Sequence, residues 1–515
     1  MSAPSPAEVA SLNRRAEEGS PATVRRELAR LHFERGNLLR EQGRLDDAAV
    51  AFGEAVACRP DLAEAWLNLG HLRELRGRYA EAIAAYRSAL GVDPALPEAH
   101  LNLGNALLKT GEPVAALTAY RAAVAARPDY AEAHLNLGNI LQLQGHLDAA
   151  FEAYQRVLAI RPACAEAHVN LGKIHRARNQ LDAALAACRR ALALDPGLPQ
   201  AQLNEALVHL VSGDLRAGWP KCEARWRIAG GPMKRDLPAP VWRGDVSLAG
   251  KTILLHAEQG LGDTLQFVRY VSLVAARGAT ICLELPPSLK SLLAGLPGVA
   301  SIRARGEELP RFDFHCPLMS LPLAFATDLD SIPAAVPYLR APAGRESRWR
   351  KIVGPASGPR IGLVWAGNPG HPNDRNRSVP FAQFRPVCSP LAGVRFFSLK
   401  IEASRDDIAA LAAAPEVADH AGEVRDFADT AALVAQMDLV ISVDTSVAHL
   451  AGAMGKPVWL LVPFSPDWRW LLERDDSPWY PSMRLFRQTA IGDWDSVVRL
   501  IRSELERRCG LASRI

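Results

Sequence analysis

A 34-residue period organises the first half of the chain. Proline recurs at Pro60, Pro94, Pro128, Pro162 and Pro196, and glycine recurs in the same register at Gly36, Gly70, Gly104, Gly138 and Gly172. Ala48, Ala82, Ala116, Ala150 and Ala184 keep step, with an aromatic residue at Phe52, Tyr86, Tyr120 and Tyr154. A period of this length marks units of two helices, none of which can bury its apolar face alone, so neighbours stack into a solenoid. The spacing gives five full units from about 28 to 197 and a decayed sixth to about 228, after a helical or flexible segment at 1–27. Within one unit Trp66, Leu69 and Gly70 follow the i, i+3, i+4 rule of a buried helix stripe. Gly70 lets the second helix approach, and Gly77 ends the first helix in a left-handed conformation. Asn179 stands at the equivalent of Gly77, as the commonest other residue able to adopt that conformation. Pro94 stops the second helix.

The stretch EAHLNLGN occurs at Glu98–Asn105 and again at Glu132–Asn139, with variants in the other units. It places Asn68, Asn102, Asn136, Asn170 and Asn204 inside helices, although Asn costs roughly 0.5 kcal/mol there relative to Ala. Counted from Trp66, Asn68 lies about 150° from the centre of the packed stripe at 100° per residue. That angle predicts a line of amides along one surface, each both donor and acceptor. The bland alternative is a solvated residue copied by duplication. The pattern WLNLG…GRYAEAIAAY…P, from Trp66 to Pro94, resembles the tetratricopeptide repeat. The NLG signature is similar to that of O-linked N-acetylglucosamine transferase. That resemblance implies an asparagine ladder on the concave face that holds an acceptor protein by its backbone.

Composition narrows the class. The chain has 515 residues, 49% hydrophobic and 23% charged, and no apolar run approaches the ~20 residues of a membrane helix. The start MSAPSPAEVASLNRRAEE lacks the pattern of a secretory signal, so a cytoplasmic location is expected. The eight cysteines are scattered without a CxxC pair, which suggests neither zinc nor a disulfide framework. A net charge of +4 is too weak to indicate nucleic acid. The cations are mostly Arg, a side chain suited to phosphate and carboxylate.

After Arg227 the period stops. Residues 229–250, beginning AGGPMKRDLPAPVWRG, read as a linker or brace. Beyond them KTILLHAE (251–258), ATICLEL (279–285), RIGLVWA (360–366), VRFFSLK (394–400), DLVISVD (438–444) and PVWLLVP (457–463) read as buried parallel strands. They predict two Rossmann-like α/β halves, 251–345 and 355–515, separated by a hinge rich in Pro, Gly and Arg at 342–359. Two such halves facing across a cleft make the GT-B fold of glycosyltransferases.

Three loops carry candidate chemistry. LVISVDTSVAHLAGAMGKPVWLLV (439–462) reads strand, tight turn, helix, strand, and a helix N-terminus in that setting suits phosphate. An ordinary N-cap at Asp444 or Thr445 is the simpler role. The turn resembles the DTGxxH motif of lipopolysaccharide heptosyltransferases, which implies that Asp444, Thr445 and His449 meet the donor's diphosphate. Ser446 replaces the family's Gly. In EQGLGDTLQFVRYV (258–271) a loop with Gly260 and Gly262 leads to Asp263. The same resemblance implies that Asp263 is the general base for an acceptor hydroxyl, with a helix cap as its plain role and Glu258 in reserve. GNPGHPNDRNRSVP (367–380) offers Asn368 and Arg377, beside Arg375. There the resemblance implies a basic contact to the donor phosphates. Lys400 follows another strand end, where ligands gather in parallel sheets. Such cations can stabilise a leaving diphosphate without a metal.

DWD at 493–495 reads as a helix cap. PFSPDWRWLLERDDSPWYPSMRLFRQ (463–488) is dense in Trp, Pro and Arg, and its aromatics suit either stacking on a base or sugar or a packed brace. With AEQGLGDTLQFVRY and WAGNPGHPNDRNRS, this block is similar to bacterial repeat-containing glycosyltransferase-like proteins over nearly the whole chain. The resemblance implies a metal-independent, inverting transferase with no cofactor. It would move a sugar from a nucleoside diphosphate to a protein hydroxyl gripped by the repeats, with neither nucleic acid nor a membrane span involved. The alternatives are an interaction scaffold with a degenerate transferase half, and a transferase acting on a saccharide.

Overall fold

The computed structural model describes residues 22–509 apart from 233, 356, 372, 402 and 403. The chain forms two compact units, Met1–Ile174 and His175–Ile515. Residues 1–21 of the expected N-terminal segment lie outside the described residues. The first helix, Ala22–Glu41, begins ahead of position 28.

In the first unit helices alternate with the predicted period, as in Ala63–Leu75, Tyr79–Val92, Pro97–Lys109 and Pro113–Ala126. The glycine–aromatic pairs explain the period. A Cβ on Gly36 would meet the Phe52 ring at 2.7 Å, and on Gly70, Gly104 and Gly138 it would meet Tyr86, Tyr120 and Tyr154 at 2.6, 2.5 and 2.5 Å. Only glycine lets the two helices of a unit close over a ring of that size. A second device repeats at the first letters of the motif. Trp66, His100 and His134 each donate a ring N–H to the carbonyl of the proline six residues earlier, at 2.9 Å. That carbonyl lies beyond a helix end and has no ladder partner, so the ring supplies one.

The asparagines occupy a different place from the one expected. Trp66 is half-buried, and the buried stripe of its helix is Ala65, Leu69, Gly70 and Leu72. Measured from Ala65 and Leu72, Asn68 is only about 60° and 40° away, on the flank facing the preceding unit. Arg40 donates to Asn68 Oδ1 at 2.9 Å. Asn136 donates to Asn105 Oδ1 at 2.9 Å, and Asn170 donates to Asn139 Oδ1 at 2.9 Å. The same acceptors take the hydroxyls of Tyr120 and Tyr154 at 2.8 Å. Asn102 is half-buried. Asn170 and Asn204 are buried, 5% and 3% exposed, which removes these two from any open binding surface. The amides of Asn68, Asn136, Asn170 and Asn204 therefore tie one repeat to the next.

The second unit carries the last repeat helices, Leu181–Leu194, Pro199–Val211 and Leu215–Cys222, then a short turn at Glu223–Arg227. Two sheets follow. The first contains β1 (Thr252–His256), β2 (Thr280–Leu285), β3 (Val299–Ala304) and β4 (Phe314–Pro317) in the order β3-β2-β1-β4. The second contains β5 (Arg360–Val364), β6 (Arg395–Ser398), β7 (Val417–Asp419), β8 (Leu439–Val443), β9 (Val458–Val462) and β10 (Met483–Arg487) in the order β10-β9-β8-β5-β6-β7. Every pairing within both sheets is parallel.

The linker at 229–250 is a brace. Trp242 is buried, its N–H donates to His315 O at 2.8 Å, and His315 N–H donates to Pro240 O at 3.0 Å, so the segment lies along β4. Most of the expected hinge at 342–359 is ordered as a helix. Its core is the helix Ala343–Val353, with Trp349 buried. The Trp349 indole and Arg345 both bond Asp429, at 3.0 and 2.9 Å. The Pro and Gly residues bound this helix instead of loosening it. Arg269 joins the two sheets: its guanidinium donates to Trp479 O at 2.6 Å and Tyr338 Oη at 3.0 Å and lies over the Tyr480 ring. Among the described residues no helix is long and apolar enough to cross a membrane.

The inter-repeat bonds fix the sign of a substitution. Asn170→Ala gains about 0.5 kcal/mol of helix propensity. It loses the bond to Asn139 and the one accepted from Lys173 at 3.0 Å, each worth about 0.5–1.5 kcal/mol. The variant should therefore be less stable by about 1 kcal/mol, read as a lower urea midpoint of helical circular dichroism. A midpoint raised above that of the native chain would contradict the inter-repeat role.

Candidate functional site

Loops at the carboxyl ends of β1, β5, β8 and β9 meet in the second unit, where open parallel sheets bind ligands. The helix Leu261–Phe267 follows β1, and Ser446–Ala453 follows β8. They pack closely at Gly262, where a Cβ would stand 2.8 Å from His449 Cδ2. Gly262 thus serves helix contact rather than meeting a nucleotide directly.

Thr445 precedes the second helix in an extended conformation, and its side chain does not cap the helix. Its hydroxyl instead bonds Ser442 Oγ at 3.1 Å. Asp444, Thr445 and Ser446 are all partly exposed. The first turn therefore presents its N–H groups without a side-chain acceptor from the N-cap, in the polarity that suits an anion. Arg377 reaches this turn and donates to Asp444 O at 2.9 Å, with Nε held by Asp374 at 3.3 Å. Gly367 leaves room for it, since a Cβ there would lie 2.6 Å from the guanidinium.

His449 is buried, unlike an exposed phosphate ligand. Its Nδ1 bonds Tyr480 Oη at 2.9 Å, and its ring stacks on Trp470 at 5.4 Å. Burial, reinforced by Arg469, Arg269 and Arg377, holds its pKa well below the ordinary imidazole value, so the ring is neutral. Its Nε2 stands 3.7 Å from Asp444 Oδ1. Burial and the nearby charge of Asp467 push the Asp444 carboxyl up to about 6, against the pull of Arg469 and Arg377.

The centre of the cluster is a residue absent from the sequence-based candidates. Arg469, 8% exposed, pairs with Asp263 across the two sheets and with Asp467 at 2.9 Å. It also donates to Gln266 and feels the charge of Asp444. Asp263 accepts the Gly260 N–H at 2.9 Å, so it is the third helical residue of its helix, reaching back to the Gly260 cap. Both its oxygens are engaged. Asp467 and Arg469 were signalled by two ionisable residues inside the aromatic run PDWRW, since charges among buried aromatics need partners.

Glu258, Lys400 and Asn368 each have a partner of their own. Glu258 is 4% exposed and paired with Arg225 at 2.8 Å. Burial raises its pKa to about 7, against the Arg225 guanidinium. Arg225 holds its Oε1, while Oε2 has no hydrogen-bond partner among the described residues. Lys400 is buried beneath the β5 loop and donates to Gly367 O at 3.0 Å, so it supports the loop and does not line the mouth. Asn368 is exposed and accepts the Gly370 N–H at 2.8 Å, which shapes its own turn. Trp468, Trp470, Trp479 and Tyr480 are buried, so these aromatics of the 463–488 block pack as a brace. Trp468 lies edge-on to Trp219 at 5.2 Å. Asp493 caps the helix Trp494–Arg508 through the Ser496 N–H at 3.2 Å.

Comparison with known proteins agrees with both parts. Residues 36–74 and 75–111 match a TPR repeat family, and 101–163 and 144–199 match a tetratricopeptide repeat family. Residues 393–461, which include the Asp444–His449 turn, match glycosyltransferase family 9 (heptosyltransferase). Protein FlbA of Caulobacter vibrioides is 28% identical over 319 residues, covering 56% of this chain and 52% of FlbA. The chain thus spans about half the length of that relative. Among solved structures, MamA is 27% identical over 33% of this chain and 92% of its own, at a TM-score of 0.31. YrrB, described as a TPR protein with an unusual peptide-binding site, is 24% identical over 37% of this chain and 94% of its own, at a TM-score of 0.32. The family matches support tetratricopeptide repeats joined to a glycosyltransferase family 9 region. They do not single out O-linked N-acetylglucosamine transferase.

Removing the central cation should be costly and pH-dependent. Arg469→Ala leaves Asp263, Asp467 and Asp444 facing one another unpaired, and should destabilise the second unit by about 3–5 kcal/mol at pH 8. Asp444 is already raised to about 6, so in the variant protonation relieves the repulsion as the pH falls. The gap from the native chain should narrow between pH 8 and 5 in thermal unfolding. A gap that widened on acidification would exclude carboxylate repulsion as its cause.

Proposed function

We propose that the chain is a glycosyltransferase whose donor is a nucleoside-diphosphate sugar, with the two α/β halves acting as a GT-B pair. The observation that carries this reading is the Ser446–Ala453 helix start, free of a Thr445 cap and joined by Arg377 at the end of β8. Its backbone N–H groups and Arg377 would hold the diphosphate, and the match of residues 393–461 to family 9 falls on this turn. Asp263 would accept the proton of an acceptor hydroxyl as that oxygen attacks the anomeric carbon from the face opposite the leaving diphosphate. That route inverts the sugar's configuration. Fixed positive groups would stabilise the leaving group in place of a metal. For this to happen Asp263 must share or release Arg469, and an arriving diphosphate offers that guanidinium a second anion.

The repeats support protein interaction, and the proposed acceptor is a protein hydroxyl. With the asparagines tied between repeats, an acceptor backbone is better served by the exposed edges of the same helices than by a free amide ladder. The engagement of both Asp263 oxygens favours one other reading, a scaffold whose transferase half no longer turns over.

One substitution separates donor binding from helix stability. Ser446→Asp places a negative charge at the helix N-terminus, which should stabilise the free protein by about 0.3–1 kcal/mol. The same charge should repel a diphosphate and weaken its binding by about tenfold or more. ADP, GDP, UDP, CDP and TDP would be screened by thermal shift and the best measured by calorimetry. If none stabilises the native chain, the donor reading fails. If Ser446→Asp binds as well as the native chain, the diphosphate lies elsewhere.

A further inference from the structure

The turn between the two helices of a repeat carries glycine at Gly43, Gly77, Gly111, Gly145 and Gly213, all with φ between 72° and 88°. The fifth repeat departs from this rule with Asn179, at φ 55°. An asparagine tolerates this backbone less well than glycine, and here its side chain has a contact the glycines cannot make. Its amide donates to Phe464 O at 2.6 Å. Next to it, Ser465 Oγ donates to Arg176 O at 3.3 Å. Both contacts fall on the loop that leaves β9 and carries Asp467 and Arg469 into the site.

That loop needs to be held. Leu471 and Glu473 adopt positive φ, 52° and 54°, a strained conformation that persists only when its surroundings impose it. At the far end Arg487 donates to Arg474 O at 2.6 Å, to Leu471 O at 3.0 Å and to Trp470 O. At the near end Phe464 N–H donates to Gln488 Oε1 at 3.0 Å. The Arg176 side chain donates to Asn204 at 3.3 Å, and its charge interacts with that of Asp467. The loop is therefore clamped by β10 on one side and by the fifth repeat on the other.

We propose that the inter-helix turn of the fifth repeat is a built part of the transfer site. Asn179 is its positioning residue, holding the 463–474 loop so that Asp467 and Arg469 meet Asp263 and Asp444. The assignment of that cluster to sugar transfer rests on the function proposed above. The closing repeats then do more than recruit an acceptor, because the loop beside the diphosphate turn takes its shape from them. The within-chain comparison bears on this directly: among the described residues, the repeat turn whose side chain bonds this loop is the one that gives up glycine.

The test uses the full chain and two variants. Asn179→Gly restores the residue of the sister turns, so the fold is kept while the amide is lost. Asn179→Asp keeps the size and the left-handed tolerance but replaces the donor with an acceptor. Both should speed amide hydrogen exchange in 463–474 by about tenfold, with exchange in β8, β9 and the repeat helices unchanged. Both should also lower the turnover of UDP-, ADP- or GDP-hexose hydrolysis by about fivefold or more, with KM within about twofold. Unchanged exchange in the loop would overturn the proposal. So would faster exchange across the whole unit with a lower melting temperature, because that is the mark of a merely structural turn. Should no nucleoside diphosphate bind the native chain, the proposed function falls, while the exchange comparison still decides whether Asn179 holds the loop.

Discussion

A guanidinium set among three carboxylates controls the second unit. Arg469 is almost fully buried, and Asp263, Asp467 and Asp444 surround it. Removing an ion from water costs several kcal/mol even after relaxation, and only well-placed opposite charges offset that cost. The arrangement therefore works as a constraint. β1 must bring its loop to within reach of the loop after β9, and Gly262 must let two helices touch at His449. A change in any one partner leaves the others charged and unpaired. Burial, helped by the charge of Asp467, raises the Asp444 carboxyl against the pull of Arg469, and burial reinforced by Arg469 keeps His449 neutral.

What could be read from the sequence follows burial. The six apolar runs taken as strands are the six interior strands of the two sheets, β1, β2, β5, β6, β8 and β9. The four strands not foreseen, β3, β4, β7 and β10, are the four edges. An edge strand pairs on one side only, so it can be short or partly polar, as VAD in β7 and VASIRA in β3 are. The 342–359 stretch misled for a related reason. Proline and glycine marked the ends of a helix, and Trp349 and two arginines meeting Asp429 were the sign of packing. Within the site, the Asp444–His449 turn and Asp263 stood in recognisable strand–turn–helix settings. Arg469 did not, because its loop has no period and its pairing with Asp263 spans about 200 residues of sequence.

The repeats show how an identical residue can suggest the wrong role. Asn68, Asn136, Asn170 and Asn204 join each repeat to the one before it, and a side-chain amide can supply a donor or an acceptor for that joint. The preceding residues of the motif serve a similar purpose, giving the proline carbonyl a ring N–H. The error came from placing Trp66 at the centre of the buried stripe. A large aromatic suggests burial, yet this indole is needed at a helix end, and Ala65 sits deeper. A shift of one residue moves the stripe by 100°, enough to turn an inter-repeat contact into an apparent open surface.

In a repeat protein, function is therefore better sought where the pattern breaks than where it holds. A position filled alike in every unit answers a demand that every unit shares, and that demand is stacking. Cys188 interrupts the aromatic series and faces the Asn204 amide at 3.3 Å, where a tyrosine ring would fill the space. Asn179 interrupts the glycine series in the same repeat. Two departures in one unit coincide with the place where repeat residues touch the loop that carries Asp467 and Arg469. Stacking alone gives no reason for Asn179, since five sister turns manage with glycine, whereas Cys188 meets Asn204 within the solenoid. The demand that selects Asn179 comes from outside the solenoid, from a loop whose strained backbone has to be held for three carboxylates to share one cation.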